Sequence, residues 1–108
     1  MRIWDLPVSC LCNQHLLGEH HELHCIYNII TKDKKGFARH PEVMRWRGKL
    51  SALILRHKKQ VIEMTKRYMN HQSPILFVHN DCPVQDTFWQ SPEKQRELLR
   101  ARCENCKV

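Results

Sequence analysis

Apolar residues recur at three- and four-residue steps along two long stretches of the chain. Val8, Cys12, Leu16, Leu23, Ile26/Tyr27 and Ile30 make the first stripe, which predicts a helix over 7–31. Pro7 suits its first turn, where a missing N–H has no helical partner to lose. Gly18 lies inside it and weakens it by about 1 kcal/mol relative to Ala, so a bend or a close backbone approach is expected there. Val43, Trp46, Leu50, Leu53, His57, Val61, Met64 and Tyr68 make a longer stripe. It predicts a second helix over 42–70, with Arg45, Arg47, Lys49, Arg56, Lys58, Lys59, Lys66 and Arg67 on the other faces. Ser91-Pro92-Glu93 opens a third helix, Ser91 as N-cap and Pro92 at the first helical position, which ends near Arg102. Residues 1–6 read as extended and Lys32–Pro41 as a basic loop. From His71 to Gln90 no period is clean, and Pro74, Pro83 and Asn80-Asp81 punctuate the segment. Within it, Ile75-Leu76-Phe77-Val78 is a short strand-like piece or a strap over the core. The expected fold is a single all-α domain over residues 1–108, three helices with an irregular connection before the last.

Charge sharpens this picture. The 108 residues carry 18 Lys and Arg against 11 Asp and Glu, a formal net charge of +7. Residues 32–67 alone hold twelve basic and three acidic side chains. A positive block of this kind in a small domain points to a polyanionic partner, although a solvated helix face accounts for many such blocks. The N-terminus has no continuous apolar signal region, and no run approaches the length of a membrane span. A monomeric cytoplasmic protein without a membrane partner is expected, its six cysteines thiols or metal ligands rather than disulfides.

Two segments carry candidate chemistry. Methionine aminopeptidases require a small second residue; Arg2 therefore predicts that Met1 is retained. A terminal α-amine has a pKa of about 7.7–8.0, against about 10.4 for lysine, so far more of it is neutral and nucleophilic near pH 7. Every unblocked chain shares that property, and specificity must come from elsewhere. Residues seven apart share a helix face. His15 with Glu22, and Gln14 with His21, form two polar stripes beside Leu16 and Leu23. Glu22 then sits at the edge of the core, where a carboxylate is partly desolvated. From spacing alone, an ordinary solvated helix face is the commoner explanation of these residues.

Met1-Arg2-Ile3-x-Asp5-Leu6, with Gln14-His15-Leu16 and Glu19-His20-His21-Glu22-Leu23, resembles the pyrimidine-dimer DNA glycosylases of the phage endonuclease V type. Gly36-Phe37-x-Arg39-His40-Pro41, with Arg45-Trp46-x-Gly48-Lys49-Leu50, resembles short bacterial members of that family. The likeness covers about residues 1–75. It implies a glycosylase with AP lyase activity on duplex DNA carrying a damaged base. The α-amine of Met1 attacks the sugar C1′, the base leaves, a Schiff base forms, and β-elimination cuts the strand. Glu22 stabilises oxocarbenium-like charge and moves protons. Arg2, Gln14 and His15 match positions that contact DNA near the lesion. The phage members carry arginines where this chain has His21 and Cys25, so a phosphate clamp at His21 is weaker and pH-sensitive. Their aromatic C-terminal tail has no counterpart here.

By their own chemistry, Lys34, Lys35, Arg39 and His40, with Lys32, are the best phosphate-binding candidates. They precede a predicted helix start that also favours anions. Trp4, Phe88 and Trp89 are candidates to fill the gap left by a flipped nucleotide; Trp46 lies on the apolar stripe and belongs to the core. Cys10-x-Cys12, His20-His21-x-x-His24-Cys25 and Cys103-x-x-Cys106 are metal-type spacings. Cys103-x-x-Cys106 is half a knuckle that Cys82 or a histidine would have to complete, and Cys12 and Cys25 read as small buried residues. No metal or cofactor is assigned from the sequence. The alternative to the enzyme is a zinc-stabilised nucleic-acid-binding module without catalysis.

Overall fold

The structure, a computed structural model, describes residues 1–70, 74–75 and 78–108. The fold is all-α: no strand occurs among the described residues, and four helices do. A 3-10 turn at Val8–Cys10 leads into α1 (Asn13–Thr31); α2 (Pro41–Met44), α3 (Leu50–Lys66) and α4 (Pro92–Arg102) follow.

The first predicted helix therefore starts later than Pro7. Pro7 is extended and precedes the 3-10 turn. Cys12 is the N-cap of α1, its sulfur accepting from the His15 N–H. Gly18 is exposed, and a Cβ there would meet nothing within 4 Å, so no close approach requires it. The second predicted helix is two helices. Bonds from Trp46 N–H to Val43 O and from Lys49 N–H to Trp46 O tighten the chain after α2. Gly48 then takes φ +73°, a conformation that glycine adopts without a Cβ clash. The break lets Glu42, Arg45 and Trp46 all turn inward, where each is buried. Beyond Lys66 the stripe also fails: Tyr68 has φ +58° and is 98% exposed. The third helix begins as expected, Ser91 Oγ accepting from the Lys94 N–H at 3.2 Å. Of the short apolar run, Leu76 and Phe77 lie outside the described residues; Ile75 packs on the core and Val78 is exposed.

Helices α1 and α3 lie antiparallel, with Asn13 bonded to Arg67, Glu19 to Arg56 and Gln60, and His24 in ring contact with His57. Two apolar clusters fill the domain. One joins Ile3, Leu23, Ile26, Val43, Trp46 and Leu53. The other joins Trp4, Leu6, Leu11, Leu16, Met64 and Leu99. Between them runs a buried polar seam of Glu19, His20, His57 and Gln60. The N-cap of α3 has no capping side chain of its own. Asp81 supplies the cap from the connection, accepting from Leu50 N–H at 2.7 Å and Ser51 N–H at 2.6 Å. Burial works to raise the Asp81 pKa; the donated hydrogen bonds outweigh it and hold the carboxyl below its ordinary value.

Candidate active site

Residues 3–6 are pinned through their backbone. Trp4 N–H donates to Glu19 Oε1 at 2.7 Å and Asp5 N–H to Gln95 Oε1 at 2.8 Å. Arg45 Nη2 donates to Ile3 O at 2.9 Å, and Arg56 Nη1 to Leu6 O at 2.7 Å. An extended segment buried beside helices has no ladder for its polar groups, so side chains must satisfy them. Leu6 packs with Leu16, Trp4 bonds Glu19, and Ile3 packs with Leu23 and Ile26. Read backwards, the segment climbs α1 towards its C-terminal half. Met1, half-buried, packs against the same cluster as Ile3.

The two carboxylates of α1 have opposite surroundings. Glu19 is 2% exposed and fully used. It receives Trp4 N–H, Arg56 Nε at 2.9 Å, Arg56 Nη2 at 2.8 Å and Gln60 Nε2 at 2.5 Å. Glu22 is half-buried and makes no hydrogen bond or ion pair among the described residues. Its charge is felt at Cys25, whose pKa is raised mainly by burial and further by Glu22, against a lowering pull from Lys34. The basic loop folds back on the end of α1, Lys34 N–H donating to Ile29 O at 3.1 Å.

The other expected contact residues are dispersed. Lys34, Lys35 and Arg39 are exposed and pair with no carboxylate among the described residues. His40 caps α2, its Nδ1 accepting from the Glu42 N–H at 3.1 Å. His21 is exposed, with Nε2 3.7 Å from Cys25 Sγ, and Gln14 is exposed. Arg2 is stacked between Trp4 and Trp89, 4.3 Å and 4.7 Å from the ring centroids, and donates to Gln90. Burial lowers its pKa from the ordinary value, against opposing pulls from Glu42 and Asp5. His15 turns its Nδ1 to sulfur, 3.1 Å from Cys12 Sγ and 3.4 Å from Cys106 Sγ. Among the aromatic candidates Trp4 and Trp46 are buried, while Phe88 and Trp89 are exposed.

Sequence reasoning missed the residues that hold this region. Arg45 is a hub: it bonds Glu42 at 2.7 Å, Asp5 at 2.9 Å and Ile3 O. Glu42 also receives the indole N–H groups of Trp46 at 2.9 Å and Trp89 at 2.7 Å. Gln95 binds both the backbone and the carboxylate of Asp5. Polar residues at core-facing steps, such as Gln60 in α3, were the available signal. Two clusters have metal-ligand composition: Cys12, His15, Cys103 and Cys106, and His20, His24 and His57.

The geometry is that of a small helical domain with its N-terminal segment laid along the first helix, a carboxylate there without a partner among the described residues, and an exposed basic loop. Residues 1–76 match the family model for pyrimidine dimer DNA glycosylase, and the chain belongs to that family. Neither the curated proteins nor the solved structures contain a match. The match ends before the segment that contributes Gln85, Trp89, Gln90, Gln95, Cys103 and Cys106. No helix among the described residues is long and apolar enough to cross a membrane.

Proposed function

We propose that the chain is a DNA glycosylase with AP lyase activity on duplex DNA bearing pyrimidine-dimer-type damage. The neutral α-amine of Met1 attacks C1′ of the damaged nucleotide. An N–C1′ bond forms as the glycosidic bond breaks, and the base departs with the electron pair. Opening of the sugar leaves an iminium between Met1 and C1′. Glu22 stabilises the positive charge that develops at C1′, then moves the C2′ proton, and elimination breaks the C3′–O bond. Water finally hydrolyses the imine and frees the amine.

The observation that carries this reading is the division of labour on α1. Glu19 is consumed in holding Trp4, whereas Glu22, one turn on, has no hydrogen-bond or ion-pair partner among the described residues. Lys34, Lys35 and Arg39 bind phosphates beside it, with Arg2, Gln14, His21 and His40 as further DNA contacts. Their charge interactions are sequence-independent and weaken steeply with salt. Borohydride trapping on a duplex containing an abasic site tests the proposal. With a native terminus, a covalent adduct maps to the N-terminal peptide. A chain carrying an uncleaved N-terminal tag is folded but untrapped. Equal trapping of the tagged chain would remove Met1 from the mechanism.

A further inference from the structure

We propose that Cys12, His15, Cys103 and Cys106 form a structural zinc site that ties the start of α1 to the end of α4. The four side chains come from opposite ends of the sequence, as Cys-x-x-His and Cys-x-x-Cys pairs. Their ligand atoms all lie within 4.8 Å of one another. Tetrahedral zinc with Zn–S near 2.3 Å and Zn–N near 2.0–2.1 Å requires S···S separations of about 3.8 Å and S···N separations of about 3.6 Å. Cys12 Sγ and Cys103 Sγ are 3.7 Å apart, and His15 Nδ1 stands 3.1 Å and 3.4 Å from the Cys12 and Cys106 sulfurs. The sulfurs are too far apart to be bonded, and all six cysteines are free thiols.

Burial pushes the Cys106 thiol up to about 12, and backbone amides aimed at the sulfurs work against it. The Cys12 backbone N–H donates to Cys106 Sγ at 3.2 Å, and the His15 N–H points at Cys12 Sγ at 3.5 Å. Amide donors of this kind favour ionised sulfur. The neighbouring chain ends are held in register by Lys107 N–H bonded to Cys10 O at 2.8 Å. Four protein ligands leave no open position, the pattern of a structural rather than a catalytic ion. Cys10, Cys25 and Cys82 are not in the cluster; Cys25 faces His21, and Cys82 donates to Val84 O. Cys12 is thus a ligand rather than a core filler, and it is Cys12 and His15, not Cys82, that complete the C-terminal knuckle. His15, expected by resemblance to contact DNA, then has only its Nε2 edge left for another partner.

On binding, three thiols release their protons to solvent as three Zn–S bonds form, and His15 binds as neutral imidazole. The site is independent of the lyase chemistry, so its test reads metal and fold rather than activity. The full chain, purified without chelator, is expected to hold one zinc per molecule by elemental analysis. Replacement of zinc by cobalt(II) is expected to give sulfur-to-cobalt charge-transfer bands and the intense visible bands of a tetrahedral ion. Cys103→Ser with Cys106→Ser abolishes both signals, and Cys82→Ser keeps them. His15→Cys retains the metal whereas His15→Ala loses it. Should the double variant fail to fold, the cobalt spectrum of the unaltered chain stands as the deciding measurement. A folded, zinc-free chain with no tetrahedral cobalt spectrum overturns the site, as does an intact mass showing a disulfide among these cysteines.

Discussion

Replacing Glu19 by glutamine separates the two carboxylates of α1. Glu19 Oε1 accepts from Trp4 N–H and Arg56 Nη2, and Oε2 accepts from Arg56 Nε and Gln60 Nε2. Whichever way a glutamine amide is placed, its NH2 meets two donors, and Arg56, with a side chain only 13% exposed, keeps an unpaired charge. Breaking a buried ion pair by removing one partner costs about 3–5 kcal/mol. A chain of this length loses stability at about 0.2 kcal/mol per degree near its midpoint, so the melting temperature should fall by roughly 15–25 °C. The total stability of such a domain is about 5–15 kcal/mol, so a large fraction disappears. Thermal and urea melts followed by circular dichroism measure the loss. A Glu19→Gln chain within about 1 kcal/mol of wild type would refute the view that Glu19 is the buried anchor of the first segment. It would also reopen Glu19 as the reactive carboxylate.

Glu22→Gln should do the reverse, leaving the melting temperature within a degree or two while base excision in single-turnover assays drops at least about a hundredfold; undiminished excision removes Glu22 from the chemistry. Lys34→Ala with Lys35→Ala should weaken binding to damaged and undamaged duplexes alike, and the slope of log K against log salt should fall by nearly 1 for each phosphate that is no longer neutralised. Titrations across several salt concentrations detect it, and an unchanged slope means both lysines face only solvent. Gly18→Ala should stabilise the chain by about 0.5–1 kcal/mol, since the added Cβ meets nothing; a lower melting temperature would expose a constraint at that turn. Asp81→Ala should cost about 1 kcal/mol at neutral pH through loss of the α3 cap. Because the folded pKa of Asp81 is depressed from 3.8, its contribution is present above that value and lost as pH falls through the lower folded one. The gap between variant and wild-type melts should therefore close in acid, and a gap independent of pH argues against the carboxylate as its source.

Periodicity revealed what packing enforces and missed what polar pairing enforces. Leu16, Leu23, Leu53 and Met64 lie where a 3.6-residue repeat puts them, because burial of one helix face is a local property. The break after Met44 was invisible to that repeat. Val43, Trp46 and Leu50 keep helical spacing across it, and the cause is Gly48 together with the inward turn of Arg45. Glu19 was the harder case. Its burial depends on Arg56 and Gln60, 37 and 41 residues away, a coincidence no local window contains. Cys103-x-x-Cys106 was legible as half a site; its other half, at Cys12 and His15, is more than ninety residues distant.

That separation sets an order of events during synthesis. The first residues emerge from the ribosome before any of the groups that hold them. Helix α1 can form soon after, yet Asp5 waits for Gln95, 90 residues later, and Cys12 waits for Cys106, 94 residues later. Contacts of such long range are slow to close. A nascent chain that stops short of Gln90 and α4 has the holds of Glu19, Arg45 and Arg56 on its first segment but lacks those of Gln90 on Arg2 and Gln95 on Asp5. That segment is thus made first and receives the last of its holds only when the chain is nearly complete.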